Sequence, residues 1–171
     1  MYNEHKKLDG LISRLKLGIE IAIISDAGTP GISDPGFLII RSAISNNIEV
    51  DCLPGPTALI PALIKSGLPC ERFIFEGFLP KRKGRNKRLE SLSNENRTII
   101  FYESPHKLLK TLTQFNQFFD SDRSVSISRE ISKMHEETFR GSLLEAVEYF
   151  TENNPRGEFV ICLGGLKNNQ S

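Results

Sequence analysis

Leu8, Leu11, Ile12 and Leu15 recur at helical spacing, and Gly18 follows where a left-handed stop would sit, which predicts a first helix closing there. Residues 19–24 form an unbroken apolar stretch apart from Glu20 and read as a buried strand. A run of turn residues comes next, and Asp34 with Pro35 then resembles an N-cap and first helical position, opening a helix to about Asn46. Ile48, Val50 and Cys52 alternate with Glu49 and Asp51, as a half-buried strand would. Pro54-Gly55-Pro56 breaks that strand, and an apolar helix from Thr57 closes at Gly67.

This order, strand–loop–helix twice over, implies parallel pairing with both loops on one sheet edge. The opening helix must cover a sheet, yet no strand precedes it, and two strands alone make a marginal sheet. The expectation is therefore an incomplete N-terminal domain in a truncated piece of a longer fold.

The second half patterns more fully. Residues 73–79 are aromatic and strand-like up to Pro80 and are expected to connect two domains. Residues 98–102 read as a strand, and Ser104-Pro105 opens a helix with Leu108, Leu109, Leu112, Phe115 and Phe119 on its apolar side. Residues 124–130, 137–141 and 158–163 are further strands. Ser142-x-x-Glu145 is a capping box for the helix between the last two. The domain reading is residues 1–72, a connection and basic loop at 73–88, and a second domain at 89–171.

Composition adds bounds. A 171-residue chain holds one ordinary domain or two small ones, and 39% apolar with 25% charged residues suits a globular protein. No apolar run approaches a membrane span, and the start lacks the apolar core of a signal peptide. Cys52, Cys70 and Cys162 are scattered and without CxxC spacing, so neither a disulfide framework nor a zinc site is expected, and a reducing cytoplasm is the simplest location. The net charge of +1 conceals a segregation: Lys81, Arg82, Lys83, Arg85, Lys87 and Arg88 leave 16 basic against 21 acidic residues elsewhere, a net of −5. Bulk charge cannot attract a polyanion, but that patch can. Its plainer reading is a solvated, mobile loop.

Residues 25–36, Ser-Asp-Ala-Gly-Thr-Pro-Gly-Ile-Ser-Asp-Pro-Gly, combine three glycines, two prolines and two aspartates. Glycine allows close approach to the backbone and proline stiffens it. A stiff glycine loop after a strand is where open α/β sheets bind ligands, although a tight structural turn has the same composition. Phosphate-loop, dinucleotide and nucleophile-elbow motifs are absent. Asp26 and Asp34 lack a neighbouring His or Glu, and His5, His106 and His135 match no ligand spacing, so no metal is expected.

The same twelve residues resemble the signature of the ribosomal RNA small subunit methyltransferase I branch of the tetrapyrrole methylase superfamily. Leu53-Pro54-Gly55-Pro56-Thr57-Ala58, Phe75-Glu76-Gly77-Phe78-Leu79-Pro80-Lys81, Phe101-Tyr102-Glu103-Ser104-Pro105-His106 and Ser128-Arg129-Glu130-Ile131-Ser132-Lys133 match in the same order. The resemblance runs from about Asn3 to Gly165. It implies a tetrapyrrole-methylase-like α/β fold, two α/β domains with S-adenosylmethionine in a cleft between them. It also implies 2′-O-methylation of a cytidine in small-subunit ribosomal RNA, and a homodimer. Family members begin with a further strand, a loop of the type Thr-Pro-Ile-Gly-Asn-Leu and a helix, which agrees with the expected truncation and leaves the activity of the piece alone open.

Carried over residue by residue, the resemblance makes Asp26, Ala27, Gly28, Thr29, Thr57, Ala58, Tyr102, Ile131 and Gly157 cofactor contacts. Thr57 can equally be a helix cap, and Tyr102 core. Methyl transfer rests on in-line positioning and removal of a ribose hydroxyl proton. Glu103, Glu130 and Lys133 are the catalytic candidates, with His106 behind them. Lys133 must be neutral to act as a base, or as a cation can hold phosphate or a developing alkoxide. The six cations of 81–88 are the RNA-phosphate candidates. Two rivals stay open: a methylase of a tetrapyrrole or other small substrate, and a non-catalytic RNA-binding module.

Overall fold

A computed structural model describes residues 2–166. The chain divides into two compact units, Met1–Thr57 and Ala58–Ser171. Among the described residues no helix is long and apolar enough to cross a membrane.

The first unit carries α1 (Tyr2–Lys16) and α2 (Phe37–Ser45), which pack on one another. Ile12 of α1 and Ile39 and Ala43 of α2 are its buried apolar side chains among the described residues. The amide of Gly18, at φ 81°, donates to the Leu15 carbonyl, so α1 stops where glycine permits a left-handed turn. Asp34 is not the cap of α2. Ser33 at φ 61° and Gly36 at φ 133° turn the chain tightly first, and the helix begins only at Phe37.

The two strands expected in this unit, residues 19–24 and 48–52, form no ladder. A strand exists only through its hydrogen-bonded neighbour, and neither segment has one among the described residues. The amides at their starts turn back instead, Ile19 donating to the Arg14 carbonyl and Ile48 to that of Ala43. Ile24 and Leu53 are left 88% and 83% exposed.

The second unit begins with α3 (Leu59–Ser66), closed by Gly67 at φ 71° as expected. It then runs β1 (Phe73–Phe78), α4 (Arg85–Ser93), β2 (Thr98–Glu103), α5 (Pro105–Phe118), β3 (Ser124–Arg129), β4 (Glu137–Ser142), α6 (Leu143–Glu152) and β5 (Phe159–Leu163). The sheet order is β1-β2-β5-β3-β4, with β1 parallel to β2 and the other pairs antiparallel. Residues 73–78 are thus an edge strand of this sheet as well as a link in the chain.

Period-two alternation sorts the two faces. Ile99, Phe101, Val125, Ile127, Phe159, Ile161 and Leu163 point into a core completed by α4, α5 and α6. Ile100, Val160 and Cys162 point the other way, under Leu59, Ala62 and Leu63 of α3. The Cys162 thiol is pushed up to about 12 by burial, so it behaves as a small apolar group. Ser142 and Glu145 close the expected capping box at the start of α6. Pro105 occupies the first turn of α5, although Ser104 makes no side-chain cap bond. Arg123, buried, donates to the carbonyls of Gly164, Ser93 and Glu95 and pins three chain segments together.

Candidate functional site

In the first unit the glycine-rich loop is built by its own polar side chains. The Ser25 hydroxyl donates to the carbonyl of Gly28 at 2.8 Å, which curls the start of the loop. Thr29 then reaches the second loop, its amide and hydroxyl both donating to the Pro56 carbonyl at 2.9 and 3.2 Å. Glycine is required on both sides of this junction. A Cβ on Gly28, at φ 78°, would lie 3.0 Å from the Pro56 carbonyl oxygen, and one on Gly55 would lie 2.9 Å from the Thr29 hydroxyl. Residues 25–31 and 53–57 therefore interlock backbone to backbone. Asp26, Ala27 and Gly28 remain exposed, so a carboxylate and bare main chain face outward from a rigid support.

Thr57 lies two residues before the start of α3 and is not its cap, because Ala58 takes that position in helical geometry with no side-chain bond. Tyr102, half-buried, packs edge-on against Phe75 at 5.0 Å and Phe78 at 5.6 Å between ring centroids. Ile131 packs on the core beneath α3.

The three catalytic candidates are all engaged. The buried Glu103 carboxylate accepts from the Ser104 amide at 2.9 Å and the Thr111 hydroxyl at 2.7 Å, with the Arg85 guanidinium 3.9 Å away. That arrangement orders the start of α5. Glu130 accepts from the Glu158 amide at 2.8 Å and the Lys133 ammonium at 3.0 Å, which together hold its carboxyl below the usual range. Lys133 reaches Glu158 at 2.9 Å as well as Glu130, and the two carboxylates raise its pKa. A lysine held in its charged form accepts no proton. His106 is exposed on α5.

Glu130 at φ 47° and Ser132 at φ 65° are left-handed without being glycine. Gly157, at φ 82°, lets Glu130 lie there: a Cβ at 157 would sit 2.5 Å from the Glu130 Cγ. The Glu158 and Glu136 contributions to this turn carry no sequence signal, since their partners Lys133 and Lys65 are 25 and 71 positions away. Among the described residues no three His, Cys, Asp or Glu side chains converge to hold a metal.

The basic run is not one loop. Residues 85–88 are the first turn of α4. Arg85 donates to Gln114, Thr111 and the Pro80 carbonyl, and Arg88 forms a two-pronged pair with Glu76. Lys81, Arg82, Lys83 and Lys87 stay exposed. The six cations thus separate into two that bind the fold and four that face solvent.

The sequence profile of the Tetrapyrrole (Corrin/Porphyrin) Methylases matches residues 2–147. A Thermotoga maritima protein named ribosomal RNA small subunit methyltransferase I is 46% identical over 163 residues, covering 95% of this chain and 73% of that protein. The chain belongs to the tetrapyrrole methylase family, in the ribosomal RNA small subunit methyltransferase I branch. A Synechocystis protein of the same name is 50% identical over 165 residues, 96% of this chain, and the chain spans 59% of that relative's length.

Solved structures carry the fold likeness. The methyltransferase CobJ superposes with a TM-score of 0.69 at 18% identity, over 98% of this chain and 74% of that one. Uroporphyrin-III C-methyltransferase from Thermus thermophilus, complexed with S-adenyl homocysteine, gives 0.63 at 15%, over 94% and 73%. The tetrapyrrole methylase fold expected from the sequence is thereby established. Chemistry does not follow from likeness at such identities.

Proposed function

We propose that this tetrapyrrole methylase family member serves S-adenosylmethionine-dependent 2′-O-methylation of a cytidine in small-subunit ribosomal RNA, in the cytoplasm and as a homodimer. The observation that carries the reading is the interlocked glycine loop, whose exposed face is main chain plus the Asp26 carboxylate. Those groups fit the cofactor. A carboxylate can hold an ammonium or ribose hydroxyls, and bare backbone can read an adenine edge or a carboxylate. Asp26, Ala27, Gly28, Thr29 and Thr57 are the contacts assigned to the first unit. Ala58, Tyr102, Ile131 and Gly157 are those assigned to the second.

When bound, the cofactor supplies a methyl group on a sulfonium, already activated for displacement. The residues of this chain then have to orient the ribose hydroxyl in line with the methyl group, and as the C–O bond forms and the S–C bond breaks the hydroxyl proton passes to solvent water. We assign Glu103, Glu130 and Lys133 to positioning and not to proton transfer, because each is already committed to partners that hold it in place.

Lys81, Arg82, Lys83 and Lys87 are assigned to RNA phosphates. They surround the N-terminal end of α4, which has no acidic residue in its first turn, so helix dipole and side-chain charge add. Replacing these four by Gln is expected to lower the salt slope of RNA binding by up to about 3, at roughly 0.7 per single-strand phosphate contact.

Two measurements test the proposal. Calorimetric titration of adenosylmethionine into the chain and into the full-length protein should show binding, and its absence from both would sink the cofactor assignment. Incorporation of labelled methyl groups into undermethylated small ribosomal subunits by the full-length protein should place the label on a cytidine ribose. Cofactor binding with transfer only to a tetrapyrrole or other small acceptor overturns the RNA assignment.

A further inference from the structure

The turn between β3 and β4 is held by more than its own hydrogen bonds. Glu136 sits at its far end and uses one carboxylate oxygen to accept from the Ser132 amide at 2.7 Å. Its other oxygen pairs with the Lys65 ammonium at the end of α3. Arg140 of β4 donates twice to the Lys65 carbonyl, at 2.9 and 2.5 Å, and so caps the same helix end. Within the turn, Lys133 donates its amide to the Glu130 carbonyl and Glu136 donates its own to that of Lys133. Lys133 then carries the chain of contacts onward to Glu158 beside Gly157.

We propose that Glu136 is a positioning residue: by holding Lys65 and the Ser132 amide together it locks the 130–136 turn onto α3. The consequence concerns three cofactor assignments made above, on which this inference rests. Ala58 precedes α3, Ile131 lies in the turn, and Gly157 is held against Glu130. With Glu136 in place these positions belong to one rigid cluster. Two left-handed non-glycine residues inside the turn need such external support, because their backbone is unfavourable when left alone. The separate pairs are weak, since Lys65 and Glu136 are each about one third exposed. Their effect comes from both ending on a single carboxylate.

The test uses the full chain with Glu136→Ala, Glu136→Gln and Lys65→Ala, each checked by thermal unfolding. NMR-detected hydrogen exchange is read at the Ser132 and Lys133 amides, and S-adenosylhomocysteine affinity is read by calorimetry. Glu136→Ala is expected to speed exchange at Ser132 about 10-fold and weaken the ligand about 5-fold. Glu136→Gln keeps the acceptor for the Ser132 amide and should recover more than half of the exchange loss. Lys65→Ala should fall between the two. Exchange within twofold of the parent in Glu136→Ala overturns the lock, whatever the ligand does. If neither the parent chain nor the full-length protein binds ligand, the cofactor reading fails, and the exchange measurement still decides the lock. Faster exchange with unchanged affinity overturns the link from lock to site.

Discussion

The two units answer the same kind of sequence pattern in opposite ways. In Ala58–Ser171 every apolar stretch read as a strand finds a ladder, and alternate side chains fill two cores on opposite faces of one sheet. In Met1–Thr57 two stretches of similar character find no ladder, and Ile24 and Leu53 stand in solvent. Hydrophobic periodicity therefore states what a segment requires of its neighbours and not what it has. The glycine stops are kept in both units, as Gly18 and Gly67 each end a helix at positive φ, although the Asp34 cap is not formed. The difference lies in non-local pairing.

The sharpest way to break that comparison is to truncate one strand-pattern apolar side chain in each unit. Phe101, 1% exposed and packed at a tilt against Phe115 with ring centroids 4.9 Å apart, should cost about 3–5 kcal/mol on Phe101→Ala. Ile24→Ala should change urea unfolding by less than about 0.5 kcal/mol, the range of an exposed surface substitution. Equal costs would mean that residues 19–24 are buried in solution.

A smaller effect separates two glycines with almost the same backbone. Gly18 and Gly157 lie at φ 81° and 82°, but a Cβ on Gly18 meets nothing within 4 Å, whereas one on Gly157 meets the Glu130 side chain. Gly18→Ala should cost about 1 kcal/mol from the left-handed backbone alone. Gly157→Ala should cost about 3 kcal/mol, since overpacking adds to the same strain. Equal values in thermal unfolding would show that Glu130 moves away freely.

Gly28→Ala should show itself in binding as well. Its Cβ would press on a backbone carbonyl, which cannot rotate aside as a side chain can. Adenosylmethionine affinity is expected to fall about 10-fold, equivalent to about 1.4 kcal/mol, beside a stability loss of at least the roughly 1 kcal/mol that the left-handed backbone alone costs. Unchanged affinity in calorimetry would remove residues 25–31 from the cofactor site.

What the sequence made legible follows the same division. The strand segments of the second unit, its helices α3, α5 and α6, the capping box at Ser142 and the glycine loop could be read from neighbours in the chain, whereas α4 begins inside the run read as a basic loop and carries no such signal. The fates of the candidate site residues could not. Glu103 is claimed by Thr111, Arg88 by Glu76 and Lys133 by Glu158, and each partner arrives through the fold. Residue type marked these side chains as chemically able, while tertiary contact decided which were already occupied. The two missing strands fail for the converse reason: their pattern was clear, and pairing was the part that the pattern leaves out.

The smallest expected effect is electrostatic and belongs to the second unit. Between α4 and β2, the Arg97 guanidinium and amide bind the Glu95 carboxylate and hold it down to about 2. A carboxyl depressed in the folded state contributes stability that is fully present above its unfolded pKa of about 4.5 and disappears as pH falls toward 2. Arg97 is 47% exposed, so solvent screening leaves only a small part of that contribution. Glu95→Gln should therefore flatten the pH dependence of urea unfolding between about 4.5 and 2 by that small part and leave the Glu95 carbonyl free to keep its bonds to Arg123 and Leu166. Other carboxylates are depressed as well, so the difference between mutant and parent is the quantity that isolates this pair. Identical slopes would place the Glu95–Arg97 pair among the many surface pairs that contribute nothing.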